Sequence, residues 1–389
     1  MNSKIKLGIL GGGGDSLIGV LHRVASAMFD QFEVVGGVFN PELSESISFA
    51  KEIGLKTDRI YKNLDSLIKE EMALPEEKRM QVVSILTPNF LHFPMAKQLL
   101  ENGFNVICEK PLTTTYKEAK ILEEISEKSQ TVFAVTYTYT GYPMVRQMKE
   151  MIASGKIGKI HKIDVQYYQG WINSIIHDKE KRSSAWRLDP AKAGISSCVG
   201  DIGTHAFNMI EFVSGMKINE ILADLNYLYQ DNRMDIDGTI LFRFSDYVKG
   251  VIRCSQIATG EENNLTISIY GEKSGFKWEQ ENPNYLYFLE DGQPVRILKP
   301  GHSYNSKLSL EGTKLPPGHP EGIFDSMGNI YKGVAKAIKK EEYNPGEFPS
   351  IKDGVRGMDF IEKTVESHQK GNVWVKINEV RVACLFLMT

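Results

Sequence analysis

The sequence predicts two linked units: an N-terminal α/β domain with a doubly wound parallel sheet (a Rossmann fold), and a C-terminal α+β domain on a mostly antiparallel open sheet. Three observations carry this reading. Short apolar runs alternate with helical patterns over the first third of the chain, a glycine cluster follows the first run, and beyond about residue 158 the apolar spacing changes to a period of two. At 389 residues the chain is also too long for one ordinary core.

The elements follow in order. KIKLGIL (4–10), EVVGGVF (33–39), VVSIL (82–86), NVICEKP (105–111) and TVFAV (131–135) are short and apolar, as strands buried on both faces must be. Between them, 42–53, 90–102 and 115–128 carry apolar residues at helical spacing, with Gly103 past the end of the second helix. In the second domain, IHKIDVQYY (160–168) sets Ile163, Val165 and Tyr167 against Lys162, Asp164 and Gln166. LTISIYG (265–271), FKWE (276–279) and NYLYFLEDGQPVRIL (284–298) repeat that alternation, the last through an Asp-Gly turn. Two helices close the chain, striped by Ile323, Met327, Ile330, Val334 and Ile338, then by Val355, Met358, Ile361 and Val365; Ser350 and Asp353 form a capping box for the latter. The expected boundaries are 1–138 for the nucleotide domain and 139–377 for the substrate domain, with 378–389 as a tail.

Composition narrows the function. A net charge of −3 excludes a generally basic nucleic-acid binder or a polybasic membrane-surface protein. The four cysteines, Cys108, Cys198, Cys254 and Cys384, are far apart and form no metal or disulfide framework, so no metal site is expected. The opening MNSKIKLGIL is too short for a signal peptide and no run reaches the length of a spanning helix. A cytoplasmic protein is expected.

The segment GILGGGGDSLIGVLHR (8–23) sits between a strand and a helix. Gly11 can make the tight turn, and Gly13 and Gly14 let backbone N–H groups approach a pyrophosphate. Gly19 lies where the helix packs on the sheet. The loop is longer than the usual GxGxxG fingerprint, and a dinucleotide site is the reading it supports. Asn40, at the end of the second strand, is neutral where NAD sites carry an acid, and no arginine stands beside it in sequence. NAD and NADP both stay open.

Three further segments are candidates for chemistry. Thr87-Pro88-Asn89-x-x-His92 and Glu109-Lys110-Pro111 stand at strand ends, where open α/β sheets bind ligands. Asp201-Ile202-Gly203-Thr204-His205 opens a helix striped by Ala206, Met209, Ile210 and Val213 and capped by Gly215. At helical spacing Asp201 and His205 share a face, so the carboxylate would orient the imidazole.

Taken together, these motifs resemble the glucose–fructose oxidoreductase / inositol dehydrogenase / rhizopine-catabolism (Gfo/Idh/MocA) family. The elements occur in the family's order: a glycine loop ending Gly19-x-x-His22, TPNxxH at 87–92, EKP at 109–111, WRxDP at 186–190 and DxGxH at 201–205. Segments 139–147, 255–263 and 316–322 look like a bacterial subgroup with the expanded glycine loop. The resemblance implies an NAD(P)-dependent oxidoreductase that transfers a hydride between the nicotinamide and a secondary alcohol of a sugar, inositol or related polyol. It implies catalytic roles for Lys110, Asp201 and His205; His205, oriented by Asp201, is the expected base and Lys110 the stabiliser of the alkoxide, with the reverse assignment, Lys110 carrying the proton, left open. It implies cofactor contacts from Gly11, Gly13, Gly14, Asn40, Thr87, Pro88, Asn89, His92, Glu109 and Lys110. Substrate contacts are expected from Tyr139, Trp171, Arg187 and His205, with Tyr142, Gln169, Asn173 and His319 as further candidates. GISSCVG (194–200) is poorer in glycine than in relatives, and Ser196, Ser197 and Cys198 are expected to alter the pocket wall. The open face of the second sheet implies a homodimer or homotetramer. A redox-recycling enzyme that eliminates or hydrolyses with bound NAD, and a non-catalytic ligand sensor, are the alternatives.

Overall fold

Apolar runs without polar alternation must be covered on both faces, and the computed structural model sets five of them side by side. It describes residues 4–227, 234–245, 248–344 and 346–378. Strands β1 (Ile5–Gly11), β2 (Phe32–Val38), β3 (Val82–Leu86), β4 (Asn105–Cys108) and β5 (Phe133–Val135) form one parallel sheet in the order β2-β1-β3-β4-β5. Strand β4 stops at Cys108, so Glu109-Lys110-Pro111 lies in the loop beyond it and not in the strand as expected. Helices α1 (Leu17–Ala27), α2 (Leu43–Glu52), α3 (Leu64–Ala73), α4 (His92–Glu101) and α5 (Tyr116–Ser129) connect the strands. Their starts are chemically marked. Ser16 accepts from the Gly19 N–H, Asn63 from that of Ser66, and Thr115 with Glu118 makes a full capping box. Helix α3 was not anticipated; its buried Leu64 and Leu67 make too short a stripe to read against its charged residues.

Helix α6 (Pro143–Ala153), also unanticipated, leads into the second sheet. Its strands are β6 (Ile160–Tyr168), β7 (Glu220–Asn226), β8 (Asp237–Arg243), β9 (Lys249–Ser255), β10 (Asn264–Gly271), β11 (Gly275–Glu279), β12 (Leu286–Leu289), β13 (Arg296–Leu298) and β14 (Val375–Lys376). The order is β13-β12-β11-β10-β6-β9-β8-β7-β14; β6 and β9 pair in parallel and every other pair is antiparallel. Ile163, Val165 and Tyr167 on β6 are buried beside Leu265, Ile267 and Ile269 on β10, which is the face that the alternation predicted.

Three long helices complete the chain: α7 (Thr204–Ser214), α8 (Ile323–Ile338) and α9 (Ile351–Gln369). Helix α7 lies under the second sheet. Helix α8 returns to the first: Met327, Ile330, Tyr331 and Val334 share one apolar core with Ile5, Leu7, Ile9, Leu21 and Ala25. The two sheets are sequential in the chain, but their cores are stitched together by its last third. Among the described residues no helix is long and apolar enough to cross a membrane. Of the expected tail, 379–389 lies outside the described residues; Asn378 is held by the Asp359 carboxylate.

Candidate active site

The glycine loop is shaped by contacts that leave no room for side chains. A Cβ on Gly19 would sit 1.9 Å from the carbonyl oxygen of Gly12, so α1 can approach the loop this closely because residue 19 is glycine. Gly13 lies against the end of β2, where a Cβ would come within 2.8 Å of the Phe39 carbonyl oxygen and 3.0 Å of the Asn40 amide. Asn40 is itself pinned, its main-chain N–H donating to Ser46 Oγ at 2.8 Å. Arg23, from the second turn of α1, donates to the Gly12 carbonyl oxygen and stacks over Phe49. No arginine adjoins Asn40 in sequence; Arg23, at the end of the glycine segment, is brought to the loop by the turn of α1.

The loop after β3 is braced. His92 is fully buried, and its ring nitrogens face the carbonyl oxygens of Thr87 at 2.8 Å and Pro111 at 2.9 Å. Burial drives its pKa down, although both carbonyls favour the charged form. His92 therefore ties the Thr87-Pro88 turn to the Lys110-Pro111 turn and does not line the cleft. Asn89 donates to the Ala193 carbonyl oxygen, joining this loop to the second domain.

Beyond β4, Glu109 and Lys110 enter a cleft of about 470 Å³ between the sheets, walled also by Tyr139, Trp171, Arg187, Asp201 and His205. Lys110 Nζ donates to Asp201 Oδ1 at 2.8 Å and to the Asp201 carbonyl oxygen at 2.9 Å. Gln256 Nε2 donates to Asp201 Oδ2 at 2.8 Å, and Arg187 Nε lies 3.7 Å from the same oxygen. Burial alone would raise the Asp201 pKa; the charges of Lys110 and Arg187 overcome it and hold the carboxyl well below the usual range. Glu109 is likewise held at about 2, burial being outweighed by the hydrogen bond from His22 and the charge of Lys110.

The expected Asp201–His205 pair does not form. Residues Val199–Gly203 make a π-helical turn before α7, so Asp201 leaves the α-helical stripe and faces Lys110 across the cleft. His205 is buried among the rings of Tyr137, Tyr139 and Tyr167, and its Nδ1 is a buried atom with no partner among the described residues. Burial first, then the Lys110 charge, pushes its pKa down to about 3. The imidazole is neutral at physiological pH. Ser196 and Cys198 are buried behind this turn; Ser196 Oγ accepts from the Gly200 N–H, and the Asp235 carboxylate accepts from the N–H groups of Ser197 and Val199. These residues start the π turn and do not form the pocket wall expected of them.

The polar wall is partly as expected. Tyr139, Gln169, Trp171 and Arg187 line the cleft, and so do Tyr167 and Asn263, which the sequence reading missed. Tyr139 and Tyr167 share a hydroxyl hydrogen bond, and Tyr167 donates to Asn263 Oδ1 at 2.6 Å. Tyr142 packs on Trp278 in the core, Asn173 donates to the Ile257 carbonyl oxygen, and His319 stands on an exposed turn; none of the three lines the cleft. Gln256 was missed as well. It follows the end of β9, and no sequence pattern links it to Asp201.

The glycine cradle at β1, the N-terminal end of α1 and an ionised Glu109 fit an extended anionic nucleotide with hydroxyl donors. A lysine, a carboxylate and a neutral imidazole at one end of that path fit the removal or return of a proton on a carbinol oxygen.

Comparison with known proteins agrees. Residues 5–137 match the model of the oxidoreductase family with an NAD-binding Rossmann fold, and residues 145–277 match the GFO/IDH/MocA C-terminal domain. An uncharacterised oxidoreductase, YfiI, of Bacillus subtilis is 31% identical over 385 residues, which is 97% of this chain and 98% of that protein. The crystal structure of an inositol dehydrogenase homologue from Azotobacter vinelandii in complex with NAD+ superposes with a TM-score of 0.90 at 30% identity, covering 97% of this chain and 98% of that one. The complex of an inositol dehydrogenase homologue from the same organism with NADH and myo-inositol gives a TM-score of 0.87 at 29% identity over the same shares. The chain belongs to the Gfo/Idh/MocA family of oxidoreductases with an NAD-binding Rossmann domain.

Proposed function

We propose that the chain oxidises a secondary hydroxyl of a sugar, an inositol or a related polyol with NAD or NADP, and that Lys110, Asp201 and His205 are the residues at the reacting carbon. The observation that supports this is the Lys110–Asp201 ion pair, made from separate domains at 2.8 Å within a cleft that also holds His205. The Azotobacter vinelandii homologue's complex with NADH and myo-inositol supports the substrate class. When bound, the nucleotide supplies the acceptor for the hydride.

Each residue then has a distinct task. An ammonium has three N–H groups, and Lys110 gives two to Asp201, leaving one for the substrate oxygen. In the oxidation Lys110, as the neutral amine, takes the hydroxyl proton as the hydride leaves, and the ammonium so formed is held by Asp201 as its counter-ion; in the reverse direction that ammonium returns the proton to the alkoxide. A base works best with a pKa near the operating pH, and at about 3 His205 is far below it. His205 is a neutral hydrogen-bonding partner that orients the hydroxyl. Trp171 and Tyr139 supply flat apolar surface under a ring, and Arg187 and Gln169 supply polar contacts at its rim.

The test is a panel of inositols, aldoses and anhydrosugars read by absorbance of the reduced nucleotide, with NAD and NADP in parallel. The reading requires substrate-dependent accumulation of NADH or NADPH. Product formation without net reduced nucleotide points to redox recycling, and turnover of none of the panel overturns the substrate class.

The same reading includes a homodimer or homotetramer in a reducing, cytoplasmic setting. On the outer face of the second sheet Leu241 is 43% exposed and Trp374 lies under the Arg243 guanidinium, a surface suited to a second copy. Cys108, Cys198 and Cys254 are buried free thiols. Light scattering at the mass of one chain would overturn the assembly, and recovery of the protein outside the cytoplasmic fraction would overturn the location.

A further inference from the structure

Behind the cleft runs a file of four side chains from four parts of the fold. Ser84 on β3, Tyr331 on α8, His22 on α1 and Glu109 beyond β4 are joined in that order. Ser84 Oγ lies 2.9 Å from the Tyr331 hydroxyl, which lies 2.7 Å from His22 Nδ1, and His22 Nε2 lies 2.9 Å from Glu109 Oε1. Ser84 and His22 are wholly buried and Tyr331 is 1% exposed. Thr136 also donates to Glu109 Oε1. One carboxylate oxygen thus takes two donors; the other takes none among the described residues, and Glu109 lines the cleft.

The last member of the file fixes the hydrogen of its neighbour. An ionised carboxylate accepts only, so His22 Nε2 carries a hydrogen. His22 Nδ1, the Tyr331 hydroxyl and Ser84 Oγ continue the file as hydrogen-bond partners. With His22 and Thr136 both on one oxygen, the Glu109 carboxylate is held in rotation.

We propose that Tyr331 and His22 are positioning residues for nucleotide binding. They hold one oxygen of Glu109 so that the other accepts from an N–H or O–H group on the nicotinamide-riboside half of the nucleotide. That half is the relevant one because Glu109 adjoins Lys110 at the reacting end, whereas Gly13 and Asn40 stand at the adenosine end. The inference rests on the dinucleotide reading above, and its test separates the two.

NADH is titrated by fluorescence, and ADP, which lacks the nicotinamide riboside, by calorimetry. Both are measured on the full-length protein and on Tyr331→Phe, Glu109→Gln and the double variant. Tyr331→Phe is expected to weaken NADH about 3- to 10-fold while ADP binding stays within about twofold. The double variant should bind NADH no more weakly than Glu109→Gln, because Tyr331 acts through that carboxylate. His22→Gln, whose amide N–H can still reach Glu109, should retain more NADH affinity than His22→Leu. Unchanged NADH binding in Tyr331→Phe, equal weakening of ADP and NADH, or additive effects in the double variant would overturn the proposal. Failure of the unaltered protein to bind either nucleotide would instead remove the dinucleotide reading on which it stands.

Discussion

Lys110 Nζ meets Asp201 twice, at the carboxylate and at the backbone carbonyl oxygen, although one residue follows a strand of the first sheet and the other opens a helix beneath the second. This double contact closes the two domains on each other at the point where the reaction is expected. It also sets the ammonium at a fixed place over the cleft.

Replacing either partner should therefore cost turnover more than nucleotide binding. Lys110→Ala is expected to lower kcat about 10²- to 10⁴-fold, and Asp201→Asn about 10²-fold. NADH titration should show nucleotide affinity within a few-fold of the unaltered protein. Near-normal kcat in both variants on a confirmed substrate would refute the assignment.

Gln256 supplies the hydrogen bond to the other Asp201 oxygen and is wholly buried. Gln256→Leu removes that donor while keeping most of the volume. A loss of about 1.5–3 kcal/mol of transition-state stabilisation is expected, since hydrogen bonds to buried charged groups are worth that much. Steady-state kinetics on Gln256→Leu beside Gln256→Glu, which places a second carboxylate against Asp201, would test it. The glutamate variant should be the worse of the two.

His205 makes stability depend on pH. Its folded pKa of about 3 lies below the ordinary value of 6.5, so over that window the unfolded chain binds a proton that the native chain refuses. Its contribution to stability is whole above about pH 6.5 and declines as the pH falls toward 3, by about 2 kcal/mol at about pH 5. Thermal melts of the unaltered protein and His205→Gln at about pH 7 and about pH 5 should show a smaller drop in Tm for the variant. Parallel drops would show that another group carries the acid sensitivity.

In the proposed nucleotide path Asn40 offers no negative charge to the ribose, so that reading leaves NADP unrepelled there. Asn40→Asp should raise the ratio of kcat/KM for NAD over NADP by about tenfold, roughly 1.4 kcal/mol. An unaltered ratio would place the 2′-position of the ribose elsewhere.

Gly19→Ala tests the loop itself. Its Cβ would fall 1.9 Å from a backbone oxygen, which no rotamer relieves, so α1 must move off the sheet. A loss of about 2–4 kcal/mol and failure to bind NADH are expected in melts and titrations.

Much of this was legible in the residues. Strands β1 to β5 announced themselves because a strand buried on both faces has no polar alternation, and the glycine loop because its contacts demand glycine. Asp201 was read as the partner of His205 because helical spacing assumes an α-helix, and a π turn leaves no periodic trace. Strands β7 to β9 were passed over; on β8 a glycine, Gly238, turns inward and an apolar residue, Leu241, turns outward, which blurs the alternation. Tyr167 lines the cleft from β6 and Asn263 from just before β10, while Gln256 reaches Asp201 from just past β9, and partners brought together by sheet register cannot be read from their local neighbours.

The return of α8 to the first sheet bears on how the protein is made. A ribosome releases the nucleotide-binding strands long before residues 323–338 emerge, an interval on the order of ten seconds or more at ordinary elongation rates. Throughout it, Ile5, Leu7 and Leu21 lack the covering that Met327, Ile330 and Val334 later provide. The nascent N-terminal half is thus a natural client for holding chaperones, and a gene cut after the first sheet should yield an aggregating fragment.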